Sequence, residues 1–353
     1  MMTSQNGRLR GRNRSSHTAA PHPLGPAPLK CEQTLCCLGL ANFDQRGVAS
    51  LQVETSYSRW DPSYFFFKQA LHPKRPCSCR HCLTELDDDP WFADHLNRSF
   101  HPLMTRENSV LSEETFKWWQ SLQSGKPPAN YSEVLEELFQ VIPDEVLYMD
   151  AGPERCRTCA VVGNSGNLKG SEYGDLIDSS KFVFRMNHAP TRGFEMDVGT
   201  RTTHHVMYPE SAIDLDNNTR LVLIPYKTLD IQWLISALTT GTIKHTYTSV
   251  PARIKANRDK VVVYNPTFFK YVYDSWLEGH GRYPSTGFLS LLLALHICDE
   301  VSVFGFGADQ SGSWHHYWED NHMKHTGVHD GNYEHNLTSL LVENHKIKMF
   351  RGT

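Results

Sequence analysis

Histidine residues that could carry acid–base chemistry are concentrated near the carboxyl end of the sequence. His315 and His316 lie within WHHYWE, and His329 follows within TGVHD. A neutral imidazole can accept or donate a proton near pH 7, so these residues are candidates for a general base or acid. They could equally bind a metal ion, but the Asp-x-Asp at 214–216 directly precedes Asn-Asn-Thr and is interpreted as an exposed turn. The sequence therefore predicts acid–base chemistry and no metal site.

A second candidate site is the stretch CAVVGNSGNLKG at 159–170, in which a short apolar run ends in small polar residues. This pattern is typical of a buried parallel strand that leads into a loop and then a helix. The glycines are three and four residues apart, so the dinucleotide-binding pattern Gly-x-Gly-x-x-Gly does not fit. Asn164, Ser165 and Asn167 offer donors and acceptors that suit a nucleoside. The alternative is a tight turn in which the asparagines only tolerate a positive φ.

A phosphate site is predicted where PSTG at 284–287 leads into an apolar stretch with helical character. Ser285 or Thr286 can cap the helix, and the free backbone N–H groups of its first turn, near Gly287, favour an anion.

These candidate residues need a framework, and the sequence predicts a largely parallel α/β sheet. From residue 159 onwards, short β-branched or aromatic runs alternate with helical stretches such as 230–238 and 286–297; the runs are CAVVG, KFVFRMN, LVLIP, VVVYNP, VSVFGFG and IKMF. Strands that alternate with helices form a Rossmann-like sheet with helices on both faces. Ligands bind beyond the carboxyl ends of such strands, so the polar stretches are expected at one end of the sheet.

The remaining segments are predicted to support this framework. Residues 76–150 contain two helical patterns, SEETFKWWQSLQ and NYSEVLEELFQVI, and precede the α/β part at 151–353. Residues 1–75 lack periodicity and are predicted to be a disordered or irregular lead. The net charge of −4, without a Lys/Arg cluster beyond residues 8–14, argues against nucleic acid as a partner. The sequence contains no apolar run long enough to span a membrane.

The cysteines allow two interpretations. Cys79-x-x-Cys82 with Cys156-x-x-Cys159 could form a zinc ribbon, although the two pairs are far apart in the sequence. The other interpretation, which is favoured, is a disulfide framework in a lumenal protein. It gains support from the N-glycosylation sequences that begin at Asn97, Asn130, Asn217 and Asn336.

Four motifs in order resemble those of the eukaryotic sialyltransferases. The large motif corresponds to 159 to about 206, the small motif and its following strand to 280–307, the third motif to 315–318, and the very small motif to His329 with Glu334. The sequences RTTHHVMYPES, GHGRYPSTG and WHHYWE are most similar to the β-galactoside α-2,3-sialyltransferases that act on Galβ1-3GalNAc. The resemblance implies a single catalytic domain over 76–353, with a GT-A-like variant of the Rossmann-like sheet.

The activity implied by the resemblance is transfer of sialic acid from CMP-sialic acid to a galactose 3-hydroxyl, with inversion and without a metal or other cofactor. The acceptors would be galactose-terminated O-glycans or gangliosides. By position, His329 would be the base, His316 would steady the phosphate, and Gln123 and Tyr283 would bind the acceptor. The implied donor-binding residues are Asn164, Ser165, Asn187, Ser285, Thr286, Gly287, Gly307, Tyr247 and Tyr283.

The resemblance also implies a compartment. It pairs Cys77 with Cys82, Cys79 with Cys156 and Cys159 with Cys298, and leaves Cys31, Cys36 and Cys37 unassigned. Members of the family work in the Golgi lumen, held by a membrane anchor; membrane association is expected on that ground, although no anchor is seen in this sequence. The stretch at 319–326, where the family has a mobile lid over the donor, looks shorter than in related sequences.

Two alternatives from other classes of protein remain. A sialoglycan-binding relative would keep the fold without catalysis, and a zinc-dependent α/β hydrolase would need a metal for turnover. Transfer assayed with and without EDTA separates all three.

Overall fold

The computed structural model describes residues 75–84, 89–123, 128–308, 315–319 and 327–352. The predicted lead, apart from residue 75, and most of the predicted lid lie outside these residues. The same is true of the unassigned cysteines, Cys31, Cys36 and Cys37.

Seven strands in the described residues form one sheet, which is parallel as the sequence predicts. In chain order the strands are β1 (Thr158–Val162), β2 (Phe182–Met186), β3 (His204–Met207), β4 (Arg220–Leu223), β5 (Val261–Val263), β6 (Glu300–Phe304) and β7 (Lys348–Phe350). Their order across the sheet is β5-β4-β3-β2-β1-β6-β7, and every neighbouring pair is parallel. The chain therefore reverses its direction of progress between β1 and β6, where such sheets open a crevice for ligands.

Helices flank the sheet. The described α-helices are α1 (Pro90–His95), α2 (Glu113–Ser121), α3 (Tyr131–Val141), α4 (Gly174–Asp178), α5 (Glu195–Val198), α6 (Thr228–Leu238), α7 (Pro266–Tyr271), α8 (Thr286–Ile297) and α9 (Gly331–Glu343). Helices α1 to α3 precede β1. Each of these three begins at a residue whose side chain accepts a backbone hydrogen bond: Asp89, Ser112 and Asn130.

Both faces of the sheet are buried, which follows from the alternation of side chains along each strand. In β1, Cys159 and Val161 belong to the larger core. Ala160 and Val162 face the opposite way, into a smaller core that also contains Ile177 of α4 and Val198 of α5. The fold class predicted from the sequence is thus confirmed.

Helix α8 lies beneath the centre of the sheet and is buried on nearly all sides. It contacts β1, β2, β3 and β6, and ten of its twelve residues are buried. A helix that is apolar on all sides is stable only when a core surrounds it. The larger core surrounds α8. At twelve residues it is far too short for a bilayer, and no other helix in the described parts of the chain has the length and hydropathy that crossing requires.

Strand β3 was not among the predicted strands, because its sequence begins with two histidines. Both are nevertheless almost fully buried. The His204 ring stacks on Phe184 with 4.6 Å between ring centroids, and its Nε2 lies 2.6 Å from the hydroxyl of Tyr148. Burial lowers the pKa of His204 to about 3, so the imidazole is neutral and behaves as an aromatic core residue.

Three disulfides tie the structure together, and they are the three pairs expected from the resemblance. They join Cys77 to Cys82, Cys79 to Cys156 and Cys159 to Cys298. The four cysteines of the proposed zinc ribbon are all consumed in these bonds, so that alternative does not apply to this structure. The third bond links the start of β1 to the residue that ends α8, away from the carboxyl ends of the strands.

Candidate active site

Two adjoining cavities open at the carboxyl ends of β1, β2 and β6. The first, of about 200 Å³, is lined by glycine-rich turns, α8, α9 and the 315–316 segment. The second, of about 270 Å³, has four tyrosines among its lining residues. The residues common to both linings are Asn164, Met186, Ser285 and Gly287. The site is therefore one cleft with two compartments.

Glycines let two backbone turns approach each other closely in the first cavity. Gly163 follows β1, and a Cβ atom placed there would lie 2.3 Å from the carbonyl oxygen of Gly305, which follows β6. Gly305 and Gly307 have φ of +62° and +95°, a region that other residues rarely adopt. At these two turns the cavity wall is consequently backbone rather than side chain, which suits a flat, polar ligand.

The N-termini of two long helices border the first cavity. Ser285 caps α8: its hydroxyl accepts a hydrogen bond from the N–H of Phe288 at 3.1 Å. Gly331, the first residue of α9, lies on the same wall. Free N–H groups and the helix dipole favour an anion at such ends, so the phosphate site predicted at 284–287 has the expected framework.

Glu334 of α9 holds the cap residue of α8. One carboxylate oxygen accepts the backbone N–H of Ser285 at 2.7 Å, and the other accepts its hydroxyl at 2.5 Å. Burial raises the pKa of Glu334 to about 7, against the opposite effect of these two hydrogen bonds. Near neutral pH a substantial fraction of this carboxyl is uncharged, which limits its repulsion of an anion. The sequence marked Glu334 only as part of a motif.

His316 reaches the first cavity from a short bridge. Its backbone pairs with Ser165, and its ring stacks on Trp318 with 4.5 Å between centroids. Its Nδ1 lies 3.1 Å from a carboxylate oxygen of Glu319, which favours a proton on that nitrogen. The ring thus has a fixed orientation at the cavity wall, as a phosphate contact requires.

The two candidate asparagines are placed by different means. The side-chain oxygen of Asn164 is buried with no hydrogen-bond partner among the described residues, so it is available to a ligand. Asn187 has φ of +58° and is fixed on three sides: its N–H donates to Val206, its carbonyl accepts from His205, and its side-chain oxygen accepts from Ser211. The tight-turn alternative does not hold for Asn164, whose φ is not positive.

The second cavity has an aromatic wall and contains His329. The wall consists of Tyr208, Tyr226, Tyr247 and Tyr283. Nδ1 of His329 lies 2.8 Å from the carbonyl oxygen of Tyr283. A carbonyl can only accept, so in the neutral ring Nδ1 carries the proton and Nε2 has the lone pair of a base.

The sequence-predicted site residues line the cleft except Asn167, which is buried and lines neither cavity, and they are not always in the expected compartment. The first cavity contains Asn164, Ser165, Ser285, Gly287, Gly307 and His316. The second contains Gln123, Asn164, Asn187, Tyr247, Tyr283, Ser285, Thr286, Gly287 and His329. Asn187, Thr286 and Tyr247, expected at the donor, thus line only the second cavity with the acceptor candidate Gln123. Tyr283, expected at both substrates, lies there as well.

The sequence missed several lining residues: Met186, Tyr208, Tyr226, Phe306 and His335. Four of them sit at or just beyond a strand's carboxyl end, and this position was the signal that could have identified them. No cluster of three or more His, Cys, Asp or Glu side chains arranged for a metal ion occurs within the described ranges.

Comparison with known proteins gives concordant matches. The sequence pattern of "Glycosyltransferase family 29 (sialyltransferase)" matches residues 103–346. A chicken protein named CMP-N-acetylneuraminate-beta-galactosamide-alpha-2,3-sialyltransferase 1 is 50% identical over 311 residues, which are 85% of this chain and 91% of the relative.

Two solved structures have similar folds. A mammalian sialyltransferase crystal structure is 54% identical, with a TM-score of 0.75 over 79% of this chain and all of the other. A mammalian sialyltransferase in complex with Gal-beta-1-3GalNAc-ortho-nitrophenol is 52% identical, with a TM-score of 0.74 over the same shares of the two chains.

Proposed function

Because the chain belongs to glycosyltransferase family 29, the sialyltransferases, we propose that it transfers sialic acid from CMP-sialic acid to the 3-hydroxyl of the terminal galactose in Galβ1-3GalNAc. The name of the chicken relative and the disaccharide in the second solved structure support this donor, acceptor and linkage. The observation that carries the proposal is the position of His329, at the acceptor end of a two-compartment cleft.

The first cavity suits the CMP part of the donor. Breaking the bond between the anomeric carbon and the phosphate oxygen leaves charge on CMP, and groups already aimed at that charge lower the barrier. The N-terminus of α8 and the imidazole of His316 are such groups. The unpartnered side-chain oxygen of Asn164 can accept a hydrogen bond from the nucleoside or from the sugar that it carries.

The second cavity suits galactose and its neighbouring sugar. Tyrosine rings offer apolar faces with a polar edge, and the Tyr226 and Tyr283 rings lie 5.0 Å apart at the cavity wall. The 3-hydroxyl oxygen attacks the anomeric carbon as the bond to CMP breaks, and the hydroxyl proton passes to Nε2 of His329. Attack from the face opposite to the leaving phosphate inverts the configuration.

The test is a transfer assay with two acceptors. We expect CMP-sialic acid and Galβ1-3GalNAc to give a product sialylated at the galactose 3-hydroxyl, with inverted anomeric configuration by NMR. Galβ1-4GlcNAc is the comparison acceptor, and a clear preference for it would refute the acceptor assignment. EDTA should leave the rate unchanged, since the proposed steps use side chains and helix N-termini; a rate restored only by added metal would refute that part.

A variant of His316 tests its role in donor binding. His316→Ala should weaken CMP binding measured by calorimetry and also lower the rate, because a phosphate contact exists in both the donor complex and the transition state. The matched control is His101→Ala, an exposed histidine outside both cavities. Unchanged CMP affinity in His316→Ala would refute the phosphate role.

We also propose that the protein works in the Golgi lumen, on O-glycans of glycoproteins or on gangliosides. Three disulfides support an oxidising compartment. Immunolocalisation of the full chain beside a Golgi marker tests this, and a cytosolic distribution with active enzyme would refute it.

A further inference from the structure

A buried lysine outside the cavity linings connects two residues of the second cavity. Lys227 lies where β4 leads into α6, and its side chain is 4% exposed. Its ammonium group donates a hydrogen bond to the side-chain oxygen of Gln123 and lies 5.2 Å from the centroid of the Tyr247 ring. Gln123 and Tyr247 line the cavity; Lys227 does not.

Asp230 holds this ammonium group in place. A carboxylate oxygen lies 3.0 Å from Nζ of Lys227, and the side chain of Asp230 is completely buried. Its second oxygen accepts the backbone N–H of Tyr226 at 2.8 Å. The cation is therefore paired with an anion that is itself fixed at the turn between β4 and α6, and it has little freedom to move.

The backbone near Gln123 is held by other contacts. In α2, the indole N–H of Trp119 donates to the carbonyl of Pro225 at 2.7 Å, and the side chain of Gln120 donates to Thr228 at 2.8 Å. These bonds dock the carboxyl end of α2 on the start of α6 without help from Lys227. What Lys227 adds is the orientation of one amide group.

That orientation follows from the chemistry of the ammonium group. An ammonium has only N–H donors, so it selects the oxygen of the Gln123 amide and leaves the amide NH₂ for other partners. Gln123 then faces the cavity as a donor, suited to a hydroxyl or carbonyl oxygen of a sugar. The same cation attracts the face of the Tyr247 ring, which is about half exposed.

We propose that Lys227 is a positioning residue of the acceptor compartment, which orients Gln123 and Tyr247 and so sets the affinity for the acceptor without contacting either substrate. The inference rests on the proposed function, since it assigns the second cavity to the acceptor. It predicts that removing Lys227 raises KM for the acceptor and leaves KM for the donor unchanged.

The experiment removes both buried charges together. In Lys227→Met/Asp230→Asn, neutral side chains of similar shape replace the pair, so that no unpaired charge stays buried. We expect KM for Galβ1-3GalNAc to rise up to about tenfold, the upper end of the change expected when the uncharged Gln123 amide loses one hydrogen bond to the acceptor. KM for CMP-sialic acid and the calorimetric Kd for CMP should stay within about twofold, because the first cavity is not touched.

The matched control is Lys255→Met/Asp214→Asn, which removes an exposed lysine and its nearest carboxylate, 3.9 Å away. Gln123→Met supplies a double-mutant cycle. Gln123→Met is then combined with Lys227→Met/Asp230→Asn. If Lys227 acts mainly through Gln123, the acceptor KM of the combined variant should be little higher than that of the more impaired of the two parent variants.

The outcomes distinguish this inference from the proposed function. Wild-type enzyme without transfer to Galβ1-3GalNAc refutes the proposed function. Wild-type transfer combined with an unchanged acceptor KM in the buried-pair variant refutes the role of Lys227, as does an equal loss for donor and acceptor. If the buried-pair variant fails to bind CMP, the test is made with Lys227→Arg instead. The planar guanidinium of arginine cannot reproduce the contact that the lysine ammonium makes with Gln123. An acceptor KM within twofold of wild type in Lys227→Arg then refutes the positioning role of Lys227.

Discussion

Replacing Glu334 with glutamine should change how the stability of the protein depends on pH. Burial raises the pKa of Glu334 from an ordinary value of 4.5 to about 7. The folded state therefore binds this proton more tightly than the unfolded state does. The resulting contribution to stability is complete below about pH 4.5 and is lost as the pH rises through 7.

The size of this effect follows from the shift. One pKa unit corresponds to about 1.4 kcal/mol, so roughly 2.5 units give about 3 kcal/mol over the whole range and about 2 to 3 kcal/mol between pH 5 and pH 8. Glutamine keeps the shape and one acceptor oxygen for Ser285 but does not titrate. The stability of wild type relative to Glu334→Gln should therefore fall by about 2 to 3 kcal/mol from pH 5 to pH 8.

The assay is urea unfolding at pH 5, 6, 7 and 8 with the disulfides intact, which gives the free energy of unfolding at each pH. Other titrating groups cancel because both proteins contain them. The matched control is Glu343→Gln, which removes one carboxylate from an exposed residue at the other end of α9. If the difference in the free energy of unfolding between wild type and Glu334→Gln is the same at pH 5 and pH 8, the Glu334 carboxyl is not desolvated as described.

Three further outcomes are expected. His329→Ala should lower the transfer rate at saturating donor by about 10² to 10⁴, as for a lost general base, while calorimetric CMP affinity stays within a few fold; a near wild-type rate would place the base elsewhere. Cys159→Ala/Cys298→Ala should lower the free energy of unfolding by about 2 to 5 kcal/mol in denaturant titrations, and an unaltered midpoint would contradict this. Gly163→Ala should weaken CMP binding and cost about 1 to 3 kcal/mol of stability, because its methyl group would meet the carbonyl of Gly305; wild-type CMP affinity would show that the two turns can separate freely.

Much of the fold was predictable because its signals are local. Helix α8 occupies the predicted 286–297, since a serine cap precedes a continuous apolar run. Strand β1 was predicted at 159–163 and is observed at Thr158–Val162. Strand β3 was missed because the burial of His204 depends on Phe184 and Tyr148, which come from other parts of the chain.

The residues of the cleft could be predicted better than their arrangement. Most of the predicted residues follow a strand or begin a helix, and local sequence indicates that much, whereas Gln123 follows α2 and Tyr247 lies in a loop. The contact of Glu334 with Ser285 joins positions 49 apart, and the placement of Tyr247 in the second cavity depends on how its loop folds over Lys227. Such long-range contacts are set by packing, which a single sequence does not encode in any local pattern.

The wall shared by the two cavities has a consequence for inhibitor chemistry. Asn164, Met186, Ser285 and Gly287 line both compartments, so the two compartments lie side by side. A molecule that joins a cytidine phosphate to a galactose analogue by a short linker would bind its second half as an intramolecular event, at an effective concentration of the order of millimolar or above. Its affinity would come largely from the nucleotide half. Its selectivity among enzymes with the same donor would come from the tyrosine-lined half.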